Sequence, residues 1–172
     1  IFDQDEKYMW YLERALNAQI PEIMAPSDFR VRSIRGAEEI YQRAAASYDA
    51  FGSTRQFEEY WPRYERFMQS PVYNSNYDLV TEAPDGEFAS FCIVWPDPVN
   101  RVGLLEPVGT HTNFQKMGLG RTVVTAGLRQ LQAWGMNRAM VCAEHDNLAA
   151  IQLYRAVGFE KKHKLLTFVK DL

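Results

Sequence analysis

A mixed α/β fold is predicted by three features of the sequence. Residues 36–69 form two segments of helical composition, and from residue 77 the texture turns to short strand-like runs. Residues 119–159 then alternate helix, strand and helix, the pattern of helices layered on a sheet. The chain of 172 residues amounts to one domain and a short remainder. A chain this long buries about 70% of its extended surface, so it needs no disulfide or metal staple. A hydrophobic fraction of 47% excludes disorder, and a net charge of −3 excludes a broad nucleic-acid footprint. No run approaches the length of a membrane span, and the opening IFDQDEKYMW is not a signal peptide. These exclusions leave a cytoplasmic enzyme or binding domain, with neither nucleic acid nor membrane as partner. Cys92 and Cys142 sit in the apolar runs SFCIVW and AMVCA, which predicts buried, reduced thiols. No CxxC or Cys/His cluster points to a metal. Residue 1 is not methionine, which is read as a sign that something precedes it.

The elements follow in order. Residues 3–19 read as a helix capped by Asp3 or Asp5, with Met9, Leu12 and Leu16 near helical spacing. Pro21 and Pro26 stop it and make a linker. Residues 29–35 alternate as a strand. Residues 36–51 are Ala-rich with early acidic residues, a helix. Thr54 is expected to cap a second helix reaching residue 69, with Pro62 kinking or restarting it. The turn Pro84-Asp85-Gly86 joins residues 77–83 and 87–95 as an antiparallel hairpin. Residues 102–112 form a strand in which Gly109 implies a bulge or a close backbone approach. Leu119, Val123, Val124, Leu128 and Leu131 stripe one face of a helix over residues 119–134. A strand over 138–143 and a helix over 147–157 follow, the latter closed by Gly158. One or two strands complete the chain, and Lys161, Lys162 and Lys164 read as a solvated edge.

The chemistry concentrates in the strand–turn–helix VGTHTNFQKMGLGRTVV. Gly118 and Gly120 bracket a turn where a helix begins, leaving backbone N–H groups unpaired at the positive end of its dipole. Such a turn is an anion site suited to phosphate, to which Lys116 and Arg121 add charge. It is neither a P-loop nor a complete GxGxxG. Together, the Q-x-x-G-x-G motif at Gln115–Gly120 and the segment Asn147–Phe159 resemble the GNAT-type N-acetyltransferases. The resemblance covers roughly residues 29–170 in element order and is specific over 104–159.

It implies a mostly antiparallel central sheet flanked by helices, with one splayed strand pair. It also implies acetyl-CoA as donor, an amine as acceptor, no metal, and direct attack in a ternary complex. Carried over, the pyrophosphate loop falls on Gln115, Lys116, Met117, Gly118, Leu119, Gly120 and Arg121. The strand edge that pairs with the pantetheine arm falls on Val108, Gly109 and Thr110. Asn147 matches a residue that hydrogen-bonds that arm, and Tyr154 one that protonates the departing thiolate. Thr112 and Met117 depart from the family pattern without removing a backbone donor. The core then spans residues 29–172, and residues 1–28 are a helix and linker leading from an upstream domain. A homodimer or such a tandem domain is the protein partner left open.

An attacking amine must be neutral, so a base is useful. Glu106 is the first candidate, since its parity in the strand matches Val108 and Thr110. Its plainer reading is a surface carboxylate or a partner of Arg101 or His111. Glu144, His145, Asp146, His111 and a water chain are rivals. Tyr154 shares a helix face with Ala150, Leu153 and Val157, so it also reads as core. An acyl-cysteine route through Cys92 or Cys142 lacks a suitably spaced His. Tyr60, Trp61, Tyr64, Phe67 and Tyr73 read mainly as helix packing, with an acceptor wall as the functional alternative. The runner-up function is a non-catalytic acyl-CoA-binding module, and a dinucleotide-binding domain ranks last.

Overall fold

The computed structural model describes residues 7–22 and 24–166. Seven strands form one sheet: β1 (Tyr8–Ala15), β2 (Arg30–Ser33), β3 (Asp78–Glu82), β4 (Phe88–Asp97), β5 (Val102–Thr110), β6 (Arg138–Glu144) and β7 (Glu160–Leu166). Their spatial order is β2-β3-β4-β5-β6-β1-β7. Every neighbouring pair is antiparallel except β5 and β6. Helices α1 (Ile40–Ala50) and α2 (Phe57–Met68) cover one face, α1 packing on β4 and β5. Helices α3 (Leu119–Ala133) and α4 (Leu148–Ala156) cover the other. The main core lies on that second side, where Leu12, Cys92, Leu105, Val123, Leu128, Leu131 and Val141 meet. No helix among the described residues is long and apolar enough to cross a membrane.

The expected N-terminal helix is overturned. Tyr8–Ala15 is a strand held between β6 and β7, with Leu12 opposite Val141 on one side and Lys161 on the other. Leu12 and Leu16 are fully buried in the main core. Residues four apart share a face in a helix and in a strand alike, so these two leucines fit either period. The capping roles of Asp3 and Asp5 fall outside the described residues, as does everything after Leu166.

Thr54 is not a cap either. Helix α2 begins at Phe57 with Gln56 as its N-cap, and Glu58 and Glu59 supply first-turn negative charge instead. The helix runs through Pro62 unbroken. The carbonyl that Pro62 leaves unpaired belongs to exposed Glu58, where water can reach it. The hairpin turn forms as expected, with Gly86 at φ 90° donating to the carbonyl of Ala83. Gly158, at φ 87°, ends α4 as part of a Schellman motif: its N–H bonds the Arg155 carbonyl and the Phe159 N–H bonds that of Tyr154.

Gly109 answers to a close approach rather than a bulge. A side chain there would put Cβ 2.3 Å from Cζ of Phe91. The bulge lies just before it, where Cys92 pairs with Val108 but Val94 pairs with Leu105, leaving Ile93 opposite both Glu106 and Pro107. Leu105 and Val108 therefore both pack on the main core despite their odd spacing. The same bulge interrupts the parity that was expected to align Glu106 with Val108 and Thr110.

Candidate active site

Strands β5 and β6 are paired only from Val102–Leu104 against Arg138–Met140. Beyond that they separate, and the gap holds a cavity of about 380 Å³. Its lining includes Glu106 and Val108 from β5, Cys142 and Glu144 from β6, and Asn147 and Tyr154 from the α4 segment, with Met9 and Phe51 at its sides. Candidates from β5, β6 and the α4 segment thus meet in one crevice.

The open edge of β5 has a definite polarity. The His111 N–H bonds the Ala89 carbonyl, and Gly109 pairs with Phe91 two residues further along the ladder. Antiparallel alternation then gives the Gly109 peptide groups to Phe91 and turns those of Val108 and Thr110 toward the separated strand. These are fixed backbone donors and acceptors beside the cavity.

The glycine turn adjoins the far end of β5. A Cβ on Gly120 would lie 3.0 Å from Oγ1 of Thr110 and 3.4 Å from Cδ2 of Leu153, so the turn sits between β5 and α4. Lys116 and Gly118 both adopt left-handed conformations, at φ 63° and 82°, and Gly118 is the N-cap of α3. No acceptor among the described residues takes a hydrogen bond from the N–H groups of Lys116 through Arg121. A turn of free N–H groups at a helix start fits a pyrophosphate. Gln115, Lys116, Met117 and Arg121 are exposed around it. Leu119 differs, since its side chain is buried against Ala83 and Ala89 and only its backbone faces the turn.

Asp49, which no local pattern marks as a site residue, anchors this turn. Its carboxylate accepts from the Thr112 N–H at 2.6 Å and from Oγ1 at 2.9 Å, and lies 3.4 Å from Nδ1 of His111. Nδ1 of His111 accepts from the Asn113 N–H at 3.2 Å, and no hydrogen bond or ion pair joins His111 to Glu106 among the described residues. Arg101 is spent on the Gly135 carbonyl. Glu106 forms no ion pair among the described residues, and its side chain is exposed at the crevice. Of its rivals, Glu144 also lines the crevice, whereas His145 stacks on Tyr8 with ring centroids 4.6 Å apart.

Asn147 caps α4, its Oδ1 accepting from the Ala150 N–H at 3.0 Å, which leaves the side-chain N–H₂ available. Tyr154 is buried, packs edge-on to Phe159, and its hydroxyl has no hydrogen-bond partner among the described residues. Burial pushes its phenol well above the ordinary value, with Cys92 and Glu106 adding to the shift, so it stays protonated. Cys92 is fully buried, as expected, and burial raises its thiol. Cys142 departs from that expectation: it is half-buried and lines the crevice, and burial together with nearby Glu106 raises its thiol too. Neither is a ready thiolate. Tyr60, Trp61, Tyr64 and Phe67 pack against Ile40 and Ala44, Tyr73 packs on the cluster of Val80 and Phe91, and none of the five lines the crevice. No group of three or more metal-ligating side chains occurs among the described residues.

Beside this geometry stand one family match and three likenesses to known proteins. The acetyltransferase (GNAT) family model matches residues 37–159. A mycothiol acetyltransferase of Rhodococcus erythropolis is 27% identical over 177 residues, covering 94% of this chain and 56% of that protein. A GCN5-related N-acetyltransferase from Sphaerobacter thermophilus superposes with a TM-score of 0.79 at 18% identity, over 94% of this chain and 50% of its own. A tandem GNAT protein from the clavulanic acid biosynthesis pathway gives 0.74 at 16% identity, over 95% and 53%. The chain thus spans about half the length of these relatives.

Proposed function

The chain belongs to the acetyltransferase (GNAT) family, and from that premise we propose that it transfers an acetyl group from acetyl-CoA to an amine by direct attack. The observation that carries this reading is the crevice itself, which sets an open backbone edge, a carboxylate and a protonated phenol around one space. Bound there, acetyl-CoA would supply the thioester carbonyl. The turn from Gln115 to Arg121 would hold the diphosphate on its free N–H groups, and Asn147 would donate from its side-chain amide to the pantetheine arm. The peptide groups of Val108 and Thr110, with Gly109 between them, would align that arm, and the Val108 N–H would donate to the oxygen on which negative charge develops.

Glu106 would take the proton from the incoming ammonium, since only the neutral amine attacks. Tyr154 would hold its proton beside the sulfur. From there it would protonate the thiolate as the C–S bond breaks, its burial keeping the proton in place until charge develops on sulfur. The acidic pair Glu106 and Glu144 favours a cationic acceptor, and Met9 and Phe51 give it an apolar flank. Mycothiol acetyltransferase relatives support a small-molecule amine as that acceptor. A compartment that keeps thiols reduced, such as the cytoplasm, suits Cys92 and Cys142.

A second reading rests on the length of the relatives. A chain that spans half of them, one of its likenesses being a tandem protein, also suits an acyl-CoA-binding half whose partner half does the chemistry. Thiol release from acetyl-CoA with a panel of amines separates the two. Transfer predicts release, falling about a hundredfold in Glu106→Gln. Tight CoA binding with no release from any amine would select the binding module instead.

A further inference from the structure

One buried charge network is not used by the mechanism above. Arg43 of α1 and Asp78 of β3 are both wholly inaccessible, with Nε donating to Oδ1 at 2.8 Å. Tyr64 and Tyr73 each donate a hydroxyl to Oδ2 of Asp78 at 3.0 Å. The other two guanidinium nitrogens, Nη1 and Nη2, have no hydrogen-bond partner among the described residues. The guanidinium lies 3.9 Å from the ring centroid of Phe91 and 5.1 Å from that of Tyr64. Charge this deep is costly, and well-packed apolar residues often replace such a pair at no loss of stability. Its location suggests what it does.

Phe91 is the ring that occupies the space Gly109 leaves open, and it also packs edge-on against Phe51, a wall of the crevice. Ala50 closes the same space from α1, at 3.0 Å from a Cβ on Gly109. The height of the β5 edge is therefore set by Phe91, and Phe91 is pinned from behind by a cation hydrogen-bonded to a carboxylate that Tyr64 and Tyr73 hold in place. We propose that Arg43 and Asp78 are positioning residues for acyl transfer, clamping Phe91 beneath Gly109 so that the Val108 and Thr110 peptide groups meet the thioester in register. The proposal deepens the acetyltransferase reading and rests on it for its kinetic consequence, not for its structural one.

The test compares Phe91→Leu and the neutral double variant Arg43→Met/Asp78→Asn with the parent protein. Three quantities are read: kcat, KM for acetyl-CoA, and the backbone amide resonances of Val108 and Thr110 without ligand. Misplacing these groups should lower kcat about tenfold or more while KM changes little, and both amide resonances should shift. Unchanged kcat and unmoved amides alongside a lowered melting temperature would mean the network only stabilises the fold, and the proposal falls. Should the double variant not fold, Tyr73→Phe takes its place, removing one donor to Asp78 and leaving the ion pair. Should the parent protein transfer acetyl to no amine, the activity reading fails separately. The amide resonances of the variants that keep the Phe91 ring then decide alone: shifted they sustain the clamp, unmoved they overturn it.

Discussion

Tyr154 is where the chemistry of a single residue is most exposed to test. Its Schellman-motif carbonyl bond to Phe159 and the edge-on packing of the two rings fix the phenol at the end of α4. Because burial raises its pKa, the phenol is fully protonated throughout the working range, and the alkaline limb of a pH–rate profile will not report it. Tyr154→Phe keeps the ring packing and removes only the hydroxyl. We expect kcat to fall about tenfold or more with CoA affinity nearly intact, measured by steady-state kinetics and calorimetry. An unchanged kcat would assign Tyr154 to the core alone. At this scale the sequence was informative where a residue type has one favoured use, as with Gly118 in a turn or Gly158 closing a helix. It was silent on Asp49 and Arg43. Each is an ordinary helical residue until the fold brings Thr112 or Asp78 to it, 63 and 35 positions away.

Among the elements, the turn into α3 makes the sharpest claim. Gly118 sits at φ 82° with nothing within 4 Å of where a Cβ would be, so the obstacle to another residue is backbone strain and not a clash. For a β-branched residue that strain is about 1–2 kcal/mol or more, and the turn relieves it by rotating its N–H groups away from a common point. Gly118→Val should therefore weaken CoA binding about tenfold or more in calorimetry, while the helix itself survives. Retained affinity would remove the turn from the binding site. This element was legible because its glycines mark it locally. The strand β1 was not, since Arg14 interrupts the apolar face between Leu12 and Leu16, and the strands it joins lie more than 120 residues downstream. The bulge at Glu106 and Pro107 escaped detection for a similar reason, being a mismatch between two strands rather than a pattern in one.

For the molecule as a whole, stability in acid is set partly by one ion network on the outer strands. Glu82 of β3 accepts from Arg32 at 2.8 and 2.9 Å and from Arg30 at 3.1 Å, while Arg32 also forks onto Glu39. Those hydrogen bonds hold the Glu82 carboxyl down to about 2, from an ordinary 4.5. A depressed carboxyl stabilises the fold fully above its unfolded pKa and loses that contribution as pH falls through the folded value. The window is therefore about pH 4.5 down to 2, and the stability at stake is of order 3 kcal/mol. Denaturant titrations across that window should show a steep loss of stability that Glu82→Gln flattens; parallel curves would exclude Glu82 as the source.

The placement of β1 has a consequence for how the protein comes into being. Among the described strands β1 leads in sequence and is sandwiched between two that lie more than 120 residues downstream, so its hydrogen-bonding partners are absent until those residues are made. Throughout that interval Tyr8–Ala15 is an apolar edge awaiting closure, with the longest loop in the molecule to be closed around it. Closing the sheet around β1 carries the largest loop-closure cost among the described strands and is expected late in folding.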